Sequence, residues 1–244
     1  MKIHINCDMA ESFGNFSIGN DQAIMPLVDA CNIACGFHGG DPKVIENTIQ
    51  LAIQYGVEIG AHPSYPDLQG FGRRDMLLDE EELQSIIKYQ IAAVKGLTEC
   101  AGGKLIHVKA HGALYNKAAV SEKEALCIVL AVRTIDPNLL VYAPSKSILE
   151  QLASDYGIKV IREAFADRRY NDDGTLTSRN VSGAIINNPE EVLEQVLNLT
   201  ENKVKTSSGA YIPMLSDTIC VHGDHTNTVE ILKLIRKHTV NRKE

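Results

Sequence analysis

Leu105-Ile106-His107-Val108-Lys109-Ala110-His111 is the stretch on which the fold turns. A short apolar run of strand length ends abruptly in a lysine and a histidine. Strand side chains alternate between two faces, so residues two apart share one. His107, Lys109 and His111 therefore lie on one face, while Ile106, Val108 and Ala110 lie on the other and can pack on surrounding helices. The polar set points into the interior of the sheet.

The same event recurs along the whole chain. Ile3-His4-Ile5-Asn6-Cys7 runs into Asp8 and Glu11, Asn32-Ile33-Ala34-Cys35 into His38, and Val57-Glu58-Ile59-Gly60-Ala61 into His62. Lys159-Val160-Ile161-Arg162 runs into Glu163, Asp167 and Arg168, and Thr218-Ile219-Cys220-Val221 into His222 and Asp224. Repetition of this kind points to a TIM-like (β/α) barrel of parallel strands whose C-terminal mouth holds an active site. Alternation groups His4 with Asn6 and Asp8, Asn32 with His38, Glu58 with Gly60 and His62, and Cys220 with His222 and Asp224. Each polar group buried without a partner costs on the order of 1–3 kcal/mol, so ligand binding is the economical explanation for so many.

Helical patterns separate the runs, and that alternation is what makes a parallel sheet. Asp41-Pro42 reads as an N-cap with proline in the first turn, followed by an apolar face from Val44 to Ala52 and a stop at Gly56. Asp79 with Glu82 forms a capping-box pattern before a helix that ends at Gly102-Gly103, and Ser121 with Glu124 repeats the signal. Ser145 opens a shorter helix ending at Gly157, Asn188-Pro189 opens another through Leu199, and a last one runs from about Thr226 to His238. Leu139 to Ala143 adds a strand, which brings the count to seven. Gly183-Ala184-Ile185-Ile186 is the candidate for an eighth. The segments from His62 to Met76 and from Ala164 to Gly183 are too long to be simple connections and should lie at the mouth.

A length of 244 residues is close to the roughly 250 of one such barrel, and no linker or repeat divides residues 1–244, so a single catalytic domain is expected. A net charge of -7 without any basic run argues against nucleic acid. The six cysteines form no CxxC pair or zinc-finger spacing and read as reduced core thiols. The apolar run after Lys2 breaks at Asp8, and no stretch approaches the roughly 20 apolar residues of a membrane span, so a cytoplasmic location is expected, with no membrane partner.

Each candidate has a plainer reading. His38, His62, His111 or His222 alone would pass for a structural histidine bonded to a carbonyl, but all four fall at analogous strand ends. Glu11 could be a cap, and Asp8 beside imidazoles can be a general base or a metal ligand. Lys109 on an inward face has few structural uses, because buried lysine needs a partner; binding an anion or stabilising developing negative charge is its functional reading. Arg73 and Arg74, the pair Asp167 and Arg168, and Glu163 could equally make structural ion pairs. There is no GxxxxGK[ST] loop, GxSxG elbow, HExxH helix or GxGxxG turn.

Several longer segments carry a resemblance. Asn6-Cys7-Asp8 with Glu11-Ser12-Phe13-Gly14, Asn32 to His38 with Gly40-Asp41-Pro42, Gly60 to Asp67 and Gly70-Phe71-Gly72-Arg73-Arg74 are four of them. His107-Val108-Lys109 with His111 to Asn116, Phe165-Ala166-Asp167-Arg168 and Cys220-Val221-His222-Gly223-Asp224 continue the series. Together, in order and over essentially the whole chain, they resemble the LamB/YcsF family, the A subunits of 5-oxoprolinase. Met9-Ala10, Gly39 and Ala110 depart from the pattern expected there, but the ionisable positions are intact.

The resemblance implies a barrel of the glycoside hydrolase/deacetylase type with seven strands. It implies ATP-dependent opening of 5-oxoproline to L-glutamate, together with partner subunits B and C. With no phosphate loop in the chain, ATP would be bound mainly by those partners, which would phosphorylate the lactam. Asp8, His38 or His62 would then act as general base, with Lys109, His111 and His222 as the other catalytic groups. Glu11, Arg73, Glu163, Asp167, Arg168 and Asp224 would bind substrate. In a close variant, Asp8, His38 and His62 hold a divalent metal ion. A stand-alone metal-dependent amidohydrolase or deacetylase and a non-catalytic scaffold subunit are the alternatives.

Overall fold

Parallel pairing in a computed structural model, which describes residues 3–223 and 227–240, carries the sheet round until it meets itself. The barrel begins with β1 (Ile5–Met9), and the chain crosses through a short helix α1 (Asp21–Ile24) and a 3-10 turn (Met25–Leu27) to β2 (Ala30–Ala34). Helix α2 (Pro42–Tyr55), β3 (Glu58–His62), α3 (Glu80–Cys100) and β4 (Leu105–Val108) follow. After β4 come two helices, α4 (Gly112–Val120) and α5 (Glu122–Ile135), then β5 (Leu140–Pro144), α6 (Ile148–Asp155) and β6 (Val160–Phe165). Helix α7 (Pro189–Thr200) leads to an antiparallel hairpin of β7 (Lys203–Lys205) and β8 (Tyr211–Pro213), and then β9 (Thr218–Cys220) and α8 (Thr228–Val240). β9 closes the barrel between β6 and β1, with Cys220 opposite both Phe165 and Asn6.

Seven strands form the barrel, the number counted in the sequence. The proposed eighth at Gly183-Ala184-Ile185-Ile186 is not one of them: Ile185 makes only an isolated bridge to Arg168. That segment belongs to the long excursion after β6, which folds back along its own loop. Among the described residues, no helix is long and apolar enough to cross a membrane.

The helix ends follow local chemistry. Asp41 accepts from the Lys43 and Val44 amides, and Gly56 ends α2 in the left-handed conformation (φ 67°). Asp79 accepts from the Glu82 amide and Asn188 from the Glu191 amide. Two expectations needed revision. The cap of α6 is Ser147, not Ser145, and the Ser121 hydroxyl turns to the Glu124 side chain, leaving the α5 backbone without a side-chain cap. The apolar faces of these helices bury Ile45, Ile49, Leu83, Ile87, Ile91, Ile128 and Val132 against the outward residues of the strands.

Inside the barrel, the lowest layer is polar and closely bonded. His107 stacks on Tyr142 at 4.1 Å and, through Nε2, donates to Asn32 Oδ1 at 2.7 Å. Gly60 faces this ring from β3, and a Cβ there would lie 2.1 Å from His107 Nε2. Because the imidazole is held on two sides, it cannot yield cheaply. Gly60→Ala is expected to destabilise the protein by about 2–3 kcal/mol, as overpacked cores do. Urea unfolding checks this; an unchanged midpoint would mean the ring moves freely.

Candidate active site

The C-terminal ends of the strands deliver their ionisable residues to one cavity of about 960 Å³. Asp8, Glu11, His62, Arg73, Lys109, His111, Glu163, Arg168 and His222 line it. His38 and Asp167 stand immediately behind, bonded to lining residues. Asp224 lies outside the described residues.

Lys109 sits at the centre, only 2% exposed. Its Nζ donates to Asp8 Oδ1 at 2.8 Å and lies 3.1 Å from Glu163 Oε1 and 3.1 Å from Cys220 Sγ. Burial alone would discharge the ammonium, but the Asp8 and Glu163 carboxylates hold it well above the ordinary lysine range. Asp8 shows the converse: burial would push its carboxyl up, yet His62 and Lys109 hold it well below the usual carboxylate range. Asn32 Nδ2 donates to Asp8 Oδ1 and to Asn6 Oδ1, both at 2.8 Å, which ties the pair to the layer beneath.

Linkage fixes how this pair responds to acid. A carboxyl whose folded value lies below its unfolded value near 3.9 contributes stability that is fully present above that value and is lost as pH falls through the folded one. The stability difference between wild type and Asp8→Asn should therefore stay constant from about pH 7 to pH 5 and shrink only below about pH 4. Urea titrations across this range test it; a difference that already collapses near pH 6 would contradict the assigned direction.

A second cluster is built of imidazoles. His62 Nδ1 lies 2.6 Å from the Lys109 carbonyl oxygen, and His111 Nε2 lies 2.8 Å from that of Phe71. Carbonyls only accept, so both nitrogens carry protons. The remaining nitrogens, His62 Nε2 and His111 Nδ1, face one another at 2.9 Å. Glu11 Oε1 lies 3.2 Å from His38 Nε2 and 3.6 Å from His111 Nδ1, and the His38 and His111 rings stack at 3.7 Å. Burial keeps His38 and His111 well below the usual histidine range, so both are neutral and present lone pairs. Donor atoms of Glu11, His38, His62 and His111 all lie within 4.8 Å of one another. Of the metal set read from the sequence, His38 and His62 group with Glu11 and His111, while Asp8 turns its Oδ1 to Lys109 and keeps its Oδ2 3.3 Å from His62 Nε2.

A third element pairs residues far apart in sequence. His222 Nδ1 lies 2.8 Å from Asp167 Oδ1, and the His222 amide donates to Asp167 Oδ2 at 2.9 Å. This places the imidazole proton on Nδ1 and leaves Nε2 as the proton-accepting nitrogen, with the ring stacked against Phe165 at 5.5 Å. Arg168 donates through Nη2 to the Thr177 carbonyl at 2.7 Å, and burial lowers its guanidinium to about 10. Arg73 lies over the Phe71 ring at 4.9 Å, whereas Arg74 is tied to Asp67 away from the cavity. Glu163 pairs with Lys109 and lines the cavity.

Sequence reasoning missed Tyr115, which lines the cavity from the first turn of α4. It also missed Asn32 and Asn6 as the hydrogen-bonded floor, although their alternation with Asp8 and His38 was the available signal.

Fold and site define a seven-stranded (β/α)-barrel protein with a buried carboxylate–lysine centre and an imidazole cluster at its mouth. The chain belongs to the LamB/YcsF family, which residues 3–243 match. It is 47% identical to the 5-oxoprolinase A subunit of Bacillus cereus (strain AH187), over 96% of this chain and 93% of that one. It is 46% identical to the 5-oxoprolinase A subunit of Heliobacterium modesticaldum, over 97% and 93% of the two chains. Among solved structures, the lactam utilization protein from Thermus thermophilus superposes with a TM-score of 0.91 at 41% identity, covering 97% of this chain and 95% of that one.

Proposed function

We propose that this chain is the A subunit of an ATP-dependent 5-oxoprolinase and carries the hydrolytic step in the cytoplasm. The observation that carries the reading is the cavity, where a buried ammonium, a buried guanidinium and a carboxylate-oriented imidazole meet. A lactam resists hydrolysis because its amide is resonance-stabilised and its nitrogen leaves poorly. Phosphorylation of the amide oxygen by partner subunits B and C would remove both obstacles, and this chain has no phosphate loop with which to do it alone.

In the cavity, Arg168 and Arg73 supply the charge that holds the substrate carboxylate, and Lys109 stabilises negative charge as water adds to the ring carbon. His222, oriented by Asp167, takes the proton from that water and delivers it to the ring nitrogen as the C–N bond breaks, leaving an acyl phosphate that a second water cleaves to glutamate and phosphate. Asp8 is a poorer base than its position in the sequence implied, because the neighbours that keep it ionised also lower its proton affinity. Its part is to hold Lys109 in place.

A divalent cation at Glu11, His38, His62 and His111 is a second reading with its own observation. Carbonyl-bound tautomers leave two lone pairs facing each other at 2.9 Å, an arrangement that repels unless a proton or a cation lies between them. Glu11, His38, His62 and His111 would hold such an ion, and donating the second ring nitrogen to a carbonyl, as His62 and His111 do, is the usual support for imidazole ligands. When bound, it would supply Lewis acidity and lower the pKa of a water beside it. Cobalt(II) should give a visible absorption band with wild type and none with His111→Ala; no band with either would assign a shared proton instead.

The function itself is tested by ATP-dependent glutamate release. Activity is expected from this chain with B and C and not from the chain alone. Full turnover in an assembled complex carrying Lys109→Ala would make the chain a scaffold. Turnover of an N-acyl substrate by the purified chain would make it a stand-alone amidohydrolase.

A further inference from the structure

The floor of the cavity holds polar groups that the fold leaves incompletely partnered. Glu163 is 2% exposed, and neither carboxylate oxygen has a well-formed hydrogen bond; Oε1 has only its ion-pair contact with Lys109, at 3.1 Å. The Tyr115 hydroxyl, in a side chain 3% exposed, turns to the Glu163 carboxylate without forming a well-aligned hydrogen bond to it. Burial first, and the Glu163 carboxylate next, push the Tyr115 phenol up, so it keeps its proton beside that carboxylate. Both residues line the same cavity as Arg168, whose Nε is also without a hydrogen bond. A buried acceptor without a donor is costly, and natural structures rarely keep one that no ligand satisfies.

An N–H group of a ligand would supply a further donor. A carboxylate bonds a cationic donor about twice as strongly as a neutral one. Ring opening creates a cationic donor at one atom: the ring nitrogen, which has no N–H while the amide oxygen is phosphorylated, becomes the ammonium of glutamate.

We infer that Glu163 and Tyr115 form the subsite for the substrate nitrogen: the Tyr115 hydroxyl donates to the ring nitrogen of the O-phosphorylated lactam, which carries no N–H, and Glu163, with the Tyr115 oxygen, accepts from the ammonium that opening creates. The inference rests on the lactam-opening reading and adds which side chains hold the nitrogen. With Arg168 taking the carboxylate, the ring is fixed at two points and its carbonyl carbon is presented towards Lys109 and His222. Contact with Glu163 strengthens as the nitrogen gains charge, so it favours the opened form over the closed one.

Calorimetric titration of the folded chain with L-glutamate and with glutarate, which has the same carboxylates and no nitrogen, tests this directly. Wild type should bind glutamate about tenfold or more tightly than glutarate. Glu163→Gln keeps the shape and loses the charge, and should bring the two within about threefold. Tyr115→Phe keeps the ring that meets Phe165 at 5.7 Å, removes no charge, and should lower the ratio severalfold. It decides the matter if thermal unfolding shows Glu163→Gln to be misfolded. Equal affinities in wild type, binding of neither ligand, or a ratio unchanged in the folded variants would each overturn the subsite. Lactam opening is read separately, by ATP-dependent glutamate release from the wild-type complex, so a failed subsite and a failed substrate assignment give different results.

Discussion

Lys109→Met is expected to abolish turnover in the assembled complex, by about a thousandfold or more, and to destabilise the chain by about 3–5 kcal/mol. Both effects have one origin. The ammonium lies between the Asp8 and Glu163 carboxylates, where bulk water is excluded. Removing it leaves two buried negative charges facing one another, and breaking a buried pair by deleting one partner is far worse than deleting both. Adding Asp8→Asn to Lys109→Met should therefore recover part of the stability, because only Glu163 then stays charged. It should recover no activity, since the group that stabilises developing charge is still missing. Denaturant unfolding and glutamate release on the single and double variants separate the two. A double variant no more stable than Lys109→Met would mean that lost packing, rather than unpaired charge, dominates.

The centre around Lys109 was legible in the sequence because strand alternation is a strong constraint. One polar residue every second position in Leu105 to His111 leaves no amphipathic helix and no solvent-facing edge that fits better. All seven barrel strands are legible in the sequence, β4 with both ends exact and the others with ends shifted by at most three residues, as when β6 continues to Phe165. The short hairpin of β7 and β8 was not, since three-residue strands with exposed ends carry no period to read. Helix α4 escaped for a related reason: His111 makes no side-chain cap, and Gly112 opens the helix at φ 57°.

Partnerships across the barrel are a different matter. Alternation says which face a residue occupies, not which neighbour it meets. Asp8 and His62 were correctly placed at the mouth, yet which atoms of Glu11, His38, His62 and His111 converge depends on the Phe71 and Lys109 carbonyls that orient the rings. Backbone groups of this kind have no signature in the sequence. Asp167 and His222, 55 residues apart, meet only because β9 inserts between β6 and β1.

That meeting sets the second large effect. Asp167→Asn is expected to lower kcat about 10³–10⁴-fold while leaving the fold intact, as loss of the orienting carboxylate does in serine-protease triads. The carboxylate accepts from both the His222 amide and Nδ1. An asparagine can satisfy the amide with its oxygen only by turning its own N–H groups towards Nδ1. That forces the imidazole proton to Nε2, so the nitrogen required to take a proton from water already carries one. The ring stays stacked on Phe165, so its position is kept while its tautomer is reversed. Nitrogen-15 shifts of His222 should show the proton moving from Nδ1 to Nε2, with kcat falling and KM for 5-oxoproline little changed. A variant with the reversed tautomer and undiminished kcat would remove His222 from the role of base and return it to Asp8 or His62.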